Sequence, residues 1–196
     1  MKIIGLAASP RRAGNSETLL DEFLRGAQEA GADTEKFALA ELNIRPCDGC
    51  DICSSRGYCP HSDDAMKLLP RLAEADVVAL ATPVYFYAVP AQAKALIDRA
   101  QYLWARKNVL HRKVGKSGGR GVLIAVGGSR GKKLFDGISL TVRYFMDTLG
   151  KKLAASMFVR EMDEIDAARR DARALSQARR LGAKIAAGRN RPAKRR

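Results

Sequence analysis

Four cysteines carry the densest chemistry in this chain of 196 residues: Cys47, Cys50, Cys53 and Cys59, spaced C-x2-C-x2-C-x5-C between Pro46 and Pro60. Clustered thiolates are ligands for soft metals, and four of them suffice for a [4Fe-4S] cluster. The same set suits tetrahedral zinc, with His61 able to replace Cys59. Redox-active Cys-x-x-Cys pairs and thiols that ligate nothing are the other readings that spacing leaves open.

A second cluster is the run Ser9-Pro10-Arg11-Arg12-Ala13-Gly14-Asn15-Ser16, rich in hydroxyls, flexible backbone and positive charge. Ahead of a helix, such a turn offers an anion the free N–H groups of the helix start. Ser9, Asn15, Ser16 and Thr18 add side-chain hydrogen-bonding groups, Gly14 a permissive backbone, and Arg11 or Arg12 a charge-assisted bond. The plainer alternative is a helix capped by Asn15 or Ser16. The turn is neither G-x-G-x-x-G nor a P-loop, which disfavours dinucleotides and nucleoside triphosphates. A third segment, Pro83-Val84-Tyr85-Phe86-Tyr87, places three aromatic rings after an apolar run, where they suit a flat ligand or simple packing at the sheet edge.

The elements that position these residues follow from periodicity. Strands are predicted over 2–8, 34–39, 76–82, 121–126 and 153–159, alternating with helices over 16–30, 63–74, 91–107, 134–149 and 171–187. Strand and helix in regular alternation predict an α/β fold with a doubly wound parallel sheet, five strands in the order 2-1-3-4-5. The first and third strands then flank the point where open α/β sheets bind ligands. The cysteines fall in an irregular insertion over 43–62, longer than an ordinary connection. One domain over 1–188 and a basic mobile tail over 189–196 complete the organisation. Trp104 is assigned to packing by its helical spacing from Ile97 and Ala100. His111 has no acidic orienter nearby, and no nucleophile-and-base constellation appears, so no catalytic side chain is assigned.

The turn S-P-R-R-A-G-N-S resembles the FMN phosphate loop, commonly G-S-P-R-x-x-G-N-S/T, of the NADPH-dependent FMN reductase and iron-sulfur flavoprotein branch of the flavodoxin-like superfamily; Ala8 stands where that family often has glycine. Residues 82–99 are similar to the family's P-V/I-Y-F turn, which wraps the flavin ring, and to the K-A-x-I-D-R ending of the helix after it. The cysteine spacing resembles the compact C-x2-C-x2-C-x4-7-C motif of iron-sulfur flavoproteins. The resemblance covers the chain to about residue 188. It implies a flavodoxin-like fold with FMN held by Ser9, Arg11, Gly14, Asn15, Ser16, Thr18, Pro83, Val84, Tyr85, Phe86 and Tyr87. It further implies a [4Fe-4S] cluster on Cys47, Cys50, Cys53 and Cys59, a ferredoxin-like electron partner, and a homodimer or homotetramer. The competing enzyme reading is an NAD(P)H-dependent FMN or quinone reductase without a cluster.

Composition agrees with a globular protein, at 46% hydrophobic and 29% charged residues, and no apolar run is long enough for a membrane span. The chain opens on a strand without a secretory pattern, so a cytoplasmic location is expected, where structural disulfides are rare. The net charge of +14 lies mostly in 106–116, 130–133 and 169–196. It predicts a solvated basic face or attraction for an acidic redox partner or a phosphorylated nucleotide. Without interleaved aromatics or a base-reading motif, nucleic-acid or lipid binding is the least favoured class.

Overall fold

The computed structural model describes residues 1–188; the basic tail over 189–196 lies outside the described residues. The chain runs β1 (Lys2–Ala7), α1 (Asn15–Glu29), β2 (Asp33–Ala38), α2 (Ile52–Arg56), α3 (Asp64–Glu74), β3 (Val77–Pro83), α4 (Ala91–Arg99), α5 (Gln101–Asn108), β4 (Gly119–Val126), α6 (Asp136–Thr148), β5 (Lys151–Val159), α7 (Ala167–Arg170) and α8 (Ala172–Ala187). All four strand pairings are parallel, in the order β2-β1-β3-β4-β5, the predicted flavodoxin-like topology. In register, Ile3 faces Val77 and Leu6 faces Leu80 across β1 and β3.

Strand alternation divides the core into two layers. Ile4, Leu6, Val78, Leu80 and Leu123 meet Leu69, Leu72, Leu96, Leu103, Val142 and Phe145 beneath α3–α6. Ile3, Val77, Ala79, Val122 and Ile124 meet Leu19, Leu20, Phe23, Ala178 and Ile185 beneath α1 and α8. On that second face α1 and α8 approach so closely that a Cβ on Gly26 or Gly182 would strike the backbone of Arg179 or Phe23.

Two departures from the sequence reading bear on the site. The helix expected over 91–107 divides at Ala100, whose ψ of −5° and whose N–H, shared between Leu96 and Ile97 carbonyls, end α4. That joint lets α5 pack against α2 and α6. The insertion is not wholly irregular either: its cysteine segment closes into α2, with Asp51 and Gly57 in left-handed backbone at its two ends. Among the described residues no helix is long and apolar enough to cross a membrane.

Candidate functional site

At the carboxyl edge of the sheet, the residues that follow β1, β3, β4 and β5 enclose a cavity of about 180 Å³. Its walls are Ser9, Arg11, Gly14, Asn15 and Ser16; Pro83, Val84 and Tyr85; Val126, Gly127 and Gly128; and Met162 and Asp163. This is the switch point between β1 and β3. Helix α1 opens into it. Its cap is Gly14, not Asn15 or Ser16 as the plainer sequence reading held, and no side chain caps it. The first-turn N–H groups, which have no intrahelical acceptor, therefore face a cavity carrying Ser9 and Arg11.

The turn is shaped by a residue that sequence reading passed over. Glu17, buried in the first turn of α1, accepts hydrogen bonds from the Ala13 N–H at 2.7 Å, from Arg12 Nη2 at 2.8 Å and from Lys36 Nζ at 2.9 Å. Burial alone would raise its pKa, but these three donors together bring it down to about 2. Ala13 is thereby held at a left-handed φ of 53°. Arg12 also pairs with Glu41, so of the two arginines only Arg11 lines the cavity.

Asn15, on the cavity wall, also holds a neighbouring segment. Its Nδ2 donates to the carbonyls of Met162 and Glu164, at 3.1 and 2.8 Å, and its Oδ1 accepts from the Ala168 N–H at 3.0 Å. The side chain clamps the segment after β5 onto the turn, leaving its backbone to face the cavity. Met162 and Asp163 reach the wall by that clamp, far from any sequence motif. Gly128 is needed beside them, because a Cβ there would meet Asp163 Oδ1 at 2.5 Å. Thr18, half-buried, is not on the wall.

The aromatic turn closes as a tight hairpin, with reciprocal backbone bonds of 2.9 Å between Tyr85 and Ala88. Phe86 and Tyr87 occupy its two central positions at φ of 49° and 62°, a conformation that favours glycine or asparagine. Tyr85 lines the cavity, whereas Phe86 stands fully in solvent and Tyr87 lies toward Gly131 and Gly137. Packing of the sheet edge does not account for Phe86. Trp104, assigned to packing from sequence, is 42% exposed.

All four cysteines are free thiols and line one cavity of about 240 Å³, with Asp48, Asp51, His61, Arg99, Gln101 and Tyr102 among the other walls. Among the described residues no three His, Cys, Asp or Glu side chains converge as ligands of a single ion. The donor set fits a group broader than one ion: four soft sulfurs around a common space. Burial pushes the Cys53 thiol up, aided by Asp51, Cys47 and Cys50, against an opposing hydrogen bond to its own backbone. Arg99, whose side chain is wholly buried and paired with Asp63, reaches the same cavity from the end of α4. This cavity shares no wall residue with the one at the sheet edge.

Fold and switch-point cavity define a flavodoxin-like α/β protein with an anion-receptive turn. Residues 1–140 match the family described as NADPH-dependent FMN reductase. An iron-sulfur flavoprotein of Methanocaldococcus jannaschii is 42% identical over 130 residues, 66% of this chain and 64% of that one. One from Methanosarcina thermophila is 35% identical over 130 residues, 66% of this chain and 65% of that one. The match thus spans slightly less than two thirds of either relative. The structure of an NAD(P)H:quinone oxidoreductase from Methanothermobacter marburgensis superposes with a TM-score of 0.71 at 20% identity, covering 100% of this chain and 99% of the other, a likeness of fold. The chain belongs to the iron-sulfur flavoprotein and NADPH-dependent FMN reductase family, FMN-binding oxidoreductases of flavodoxin-like fold.

Proposed function

We propose that this protein is an iron-sulfur flavoprotein that passes electrons between a [4Fe-4S] cluster, FMN and an acidic, ferredoxin-like partner. The observation that carries the reading is the cysteine quartet: four free thiols on one cavity wall beside a buried arginine. The names of its relatives support the same reading. When bound, the cluster supplies one-electron exchange and the flavin couples it to two-electron chemistry.

The chain's own residues position and insulate these groups. Cys47, Cys50, Cys53 and Cys59 hold the cluster. The uncapped start of α1, Ser9, Ser16 and Arg11 receive the FMN phosphate, as charge and N–H donors suit an anion. Pro83, Val84 and Tyr85 border the path from the cavity toward the ring, with Phe86 and Tyr87 on the outer side of that turn. Gly127 and Gly128 let the backbone approach. Glu17 and Asn15 fix the turn and the segment after β5. Basic residues along 106–116 favour encounter with an acidic partner.

Anaerobic reconstitution is the test. About four iron and four sulfide per chain are expected, with Cys47→Ala abolishing the cluster and sparing FMN. Stoichiometric zinc, or full FMN occupancy without iron and sulfide uptake, overturns the reading. The family description then favours an NAD(P)H-dependent flavin or quinone reductase.

A further inference from the structure

Among the described residues Arg99 is the largest fully buried side chain, and only part of its guanidinium is engaged. Nη1 donates to the Arg45 carbonyl at 2.8 Å and to Asp63 Oδ2 at 2.5 Å. Asp63 is itself fixed, taking the Arg45 N–H at 3.0 Å and, as the cap of α3, the Ala65 N–H at 3.1 Å. One corner of the guanidinium is therefore locked to the base of the cysteine insertion. Nε and Nη2, equally buried, reach no oxygen or nitrogen acceptor among the described residues. Arg99 lies on the wall of the cysteine cavity, where the Cys59 sulfur is close enough to act on the guanidinium both electrostatically and as a weak hydrogen-bond partner.

Buried guanidinium N–H groups without a strong acceptor are costly, and native interiors seldom keep them so. Thiolate and sulfide sulfurs in the adjoining cavity are the anionic acceptors that would satisfy them. Lysine could not substitute: its single ammonium, drawn to Asp63, would leave the far side of the site without donors, whereas a planar guanidinium serves two sides at once.

We propose that Arg99 donates hydrogen bonds from Nε and Nη2 to the sulfur atoms of the cluster held by the cysteine quartet, and by doing so sets the cluster's reduction potential. This rests on the cluster reading above. Its physical content is that charge and N–H donors beside sulfur stabilise the reduced, more negative form and raise the potential. Arg99 is a positioning and tuning residue, acting on the cluster and not on the flavin, whose cavity it does not line.

The test compares the unaltered chain with Arg99→Gln and Arg99→Lys, each reconstituted anaerobically. Iron, sulfide and flavin are counted, and both midpoint potentials are measured by redox titration followed by paramagnetic resonance and flavin absorbance. Arg99→Gln should lower the reduced-to-oxidised ratio of the cluster at fixed poise at least tenfold, a shift of about 59 mV for one electron. The FMN potential should stay where it is. Arg99→Lys, which keeps the charge but loses the two donors, should shift the cluster in the same direction by less. An unchanged cluster potential in a fully loaded variant overturns the role of Arg99 and leaves the cluster reading intact. If Arg99→Gln does not fold, as judged by its FMN content, Arg99→Lys decides by the same criterion. Failure of the unaltered, FMN-replete chain to take up iron and sulfide overturns the cluster reading, and this inference with it.

Discussion

Replacing Glu17 by Gln removes one charge from the residue that organises the turn before α1, while keeping its shape and one acceptor oxygen. The folded pKa of about 2, against an ordinary value near 4.5 in the unfolded chain, is linked to about 3 kcal/mol of stability at neutral pH. Because the folded pKa is depressed, that stability is complete above the unfolded value and is lost as pH falls from about 4.5 toward about 2. At pH 3 the same linkage leaves about 1 kcal/mol, so the gap between unaltered protein and Glu17→Gln should narrow by about 2 kcal/mol between pH 7 and pH 3. Urea titrations at both pH values measure it. The consequence for the turn is separate: with Arg12 left only its pairing to Glu41 and the Ala13 N–H bonded less strongly, the left-handed backbone at Ala13 relaxes. FMN affinity should fall by more than riboflavin affinity, which has no phosphate at stake. A stability gap that does not change with pH would refute the ion-pair account of Glu17. Equal losses for FMN and riboflavin would refute its link to the phosphate turn.

Two further outcomes test the supports of the fold and cavity. Asn15→Ala deletes three hydrogen bonds to the segment 162–168, so stability should drop by about 2–3 kcal/mol, with faster hydrogen exchange in that segment; unaltered protection there would show that the clamp is dispensable. Lys151 is buried, with Nζ donating to the carbonyls of Ala73 and Ala75, and burial, only partly offset by Glu74 and Asp76, lowers its pKa to about 8. The folded protein then gives up that proton before the unfolded chain does, so between pH 7 and pH 10 it should gain about 2–3 kcal/mol of stability relative to Lys151→Met, read from denaturation curves at the two pH values.

What could be read from sequence was whatever is local. Strand and helix alternation gave the sheet order because parallel crossovers leave few topologies, and the three motifs lay on contiguous residues. The helix over 91–107 was read as one because Ala100 carries no breaker signal; its division reflects how α5 must turn to meet α2 and α6. Phe86 and Tyr87 could not be foreseen in left-handed backbone, since nothing in their side chains asks for it.

The supports were hidden for a different reason. Asn15 looked like a phosphate ligand because amides and hydroxyls are interchangeable as polar residues in a list, yet its partners lie at Met162, Glu164 and Ala168, across the whole chain. Arg99 stood in a family-like K-A-x-I-D-R ending and drew no chemical assignment, because its significance depends on two donors that lack oxygen or nitrogen acceptors only once the insertion is folded over it. Glu17 is the intermediate case: it directly follows the turn, but a glutamate in the first turn of a helix is expected for the dipole alone. Its burial and its bonds to Lys36 from β2 are what separate a structural anchor from a solvated charge. In each case the ligand-facing residue is local and the residue that aims it is not. A variant that leaves the four cysteines and both cavity turns intact can therefore still act on the proposed cluster, and Arg99 is the residue where that separation can be measured as a potential.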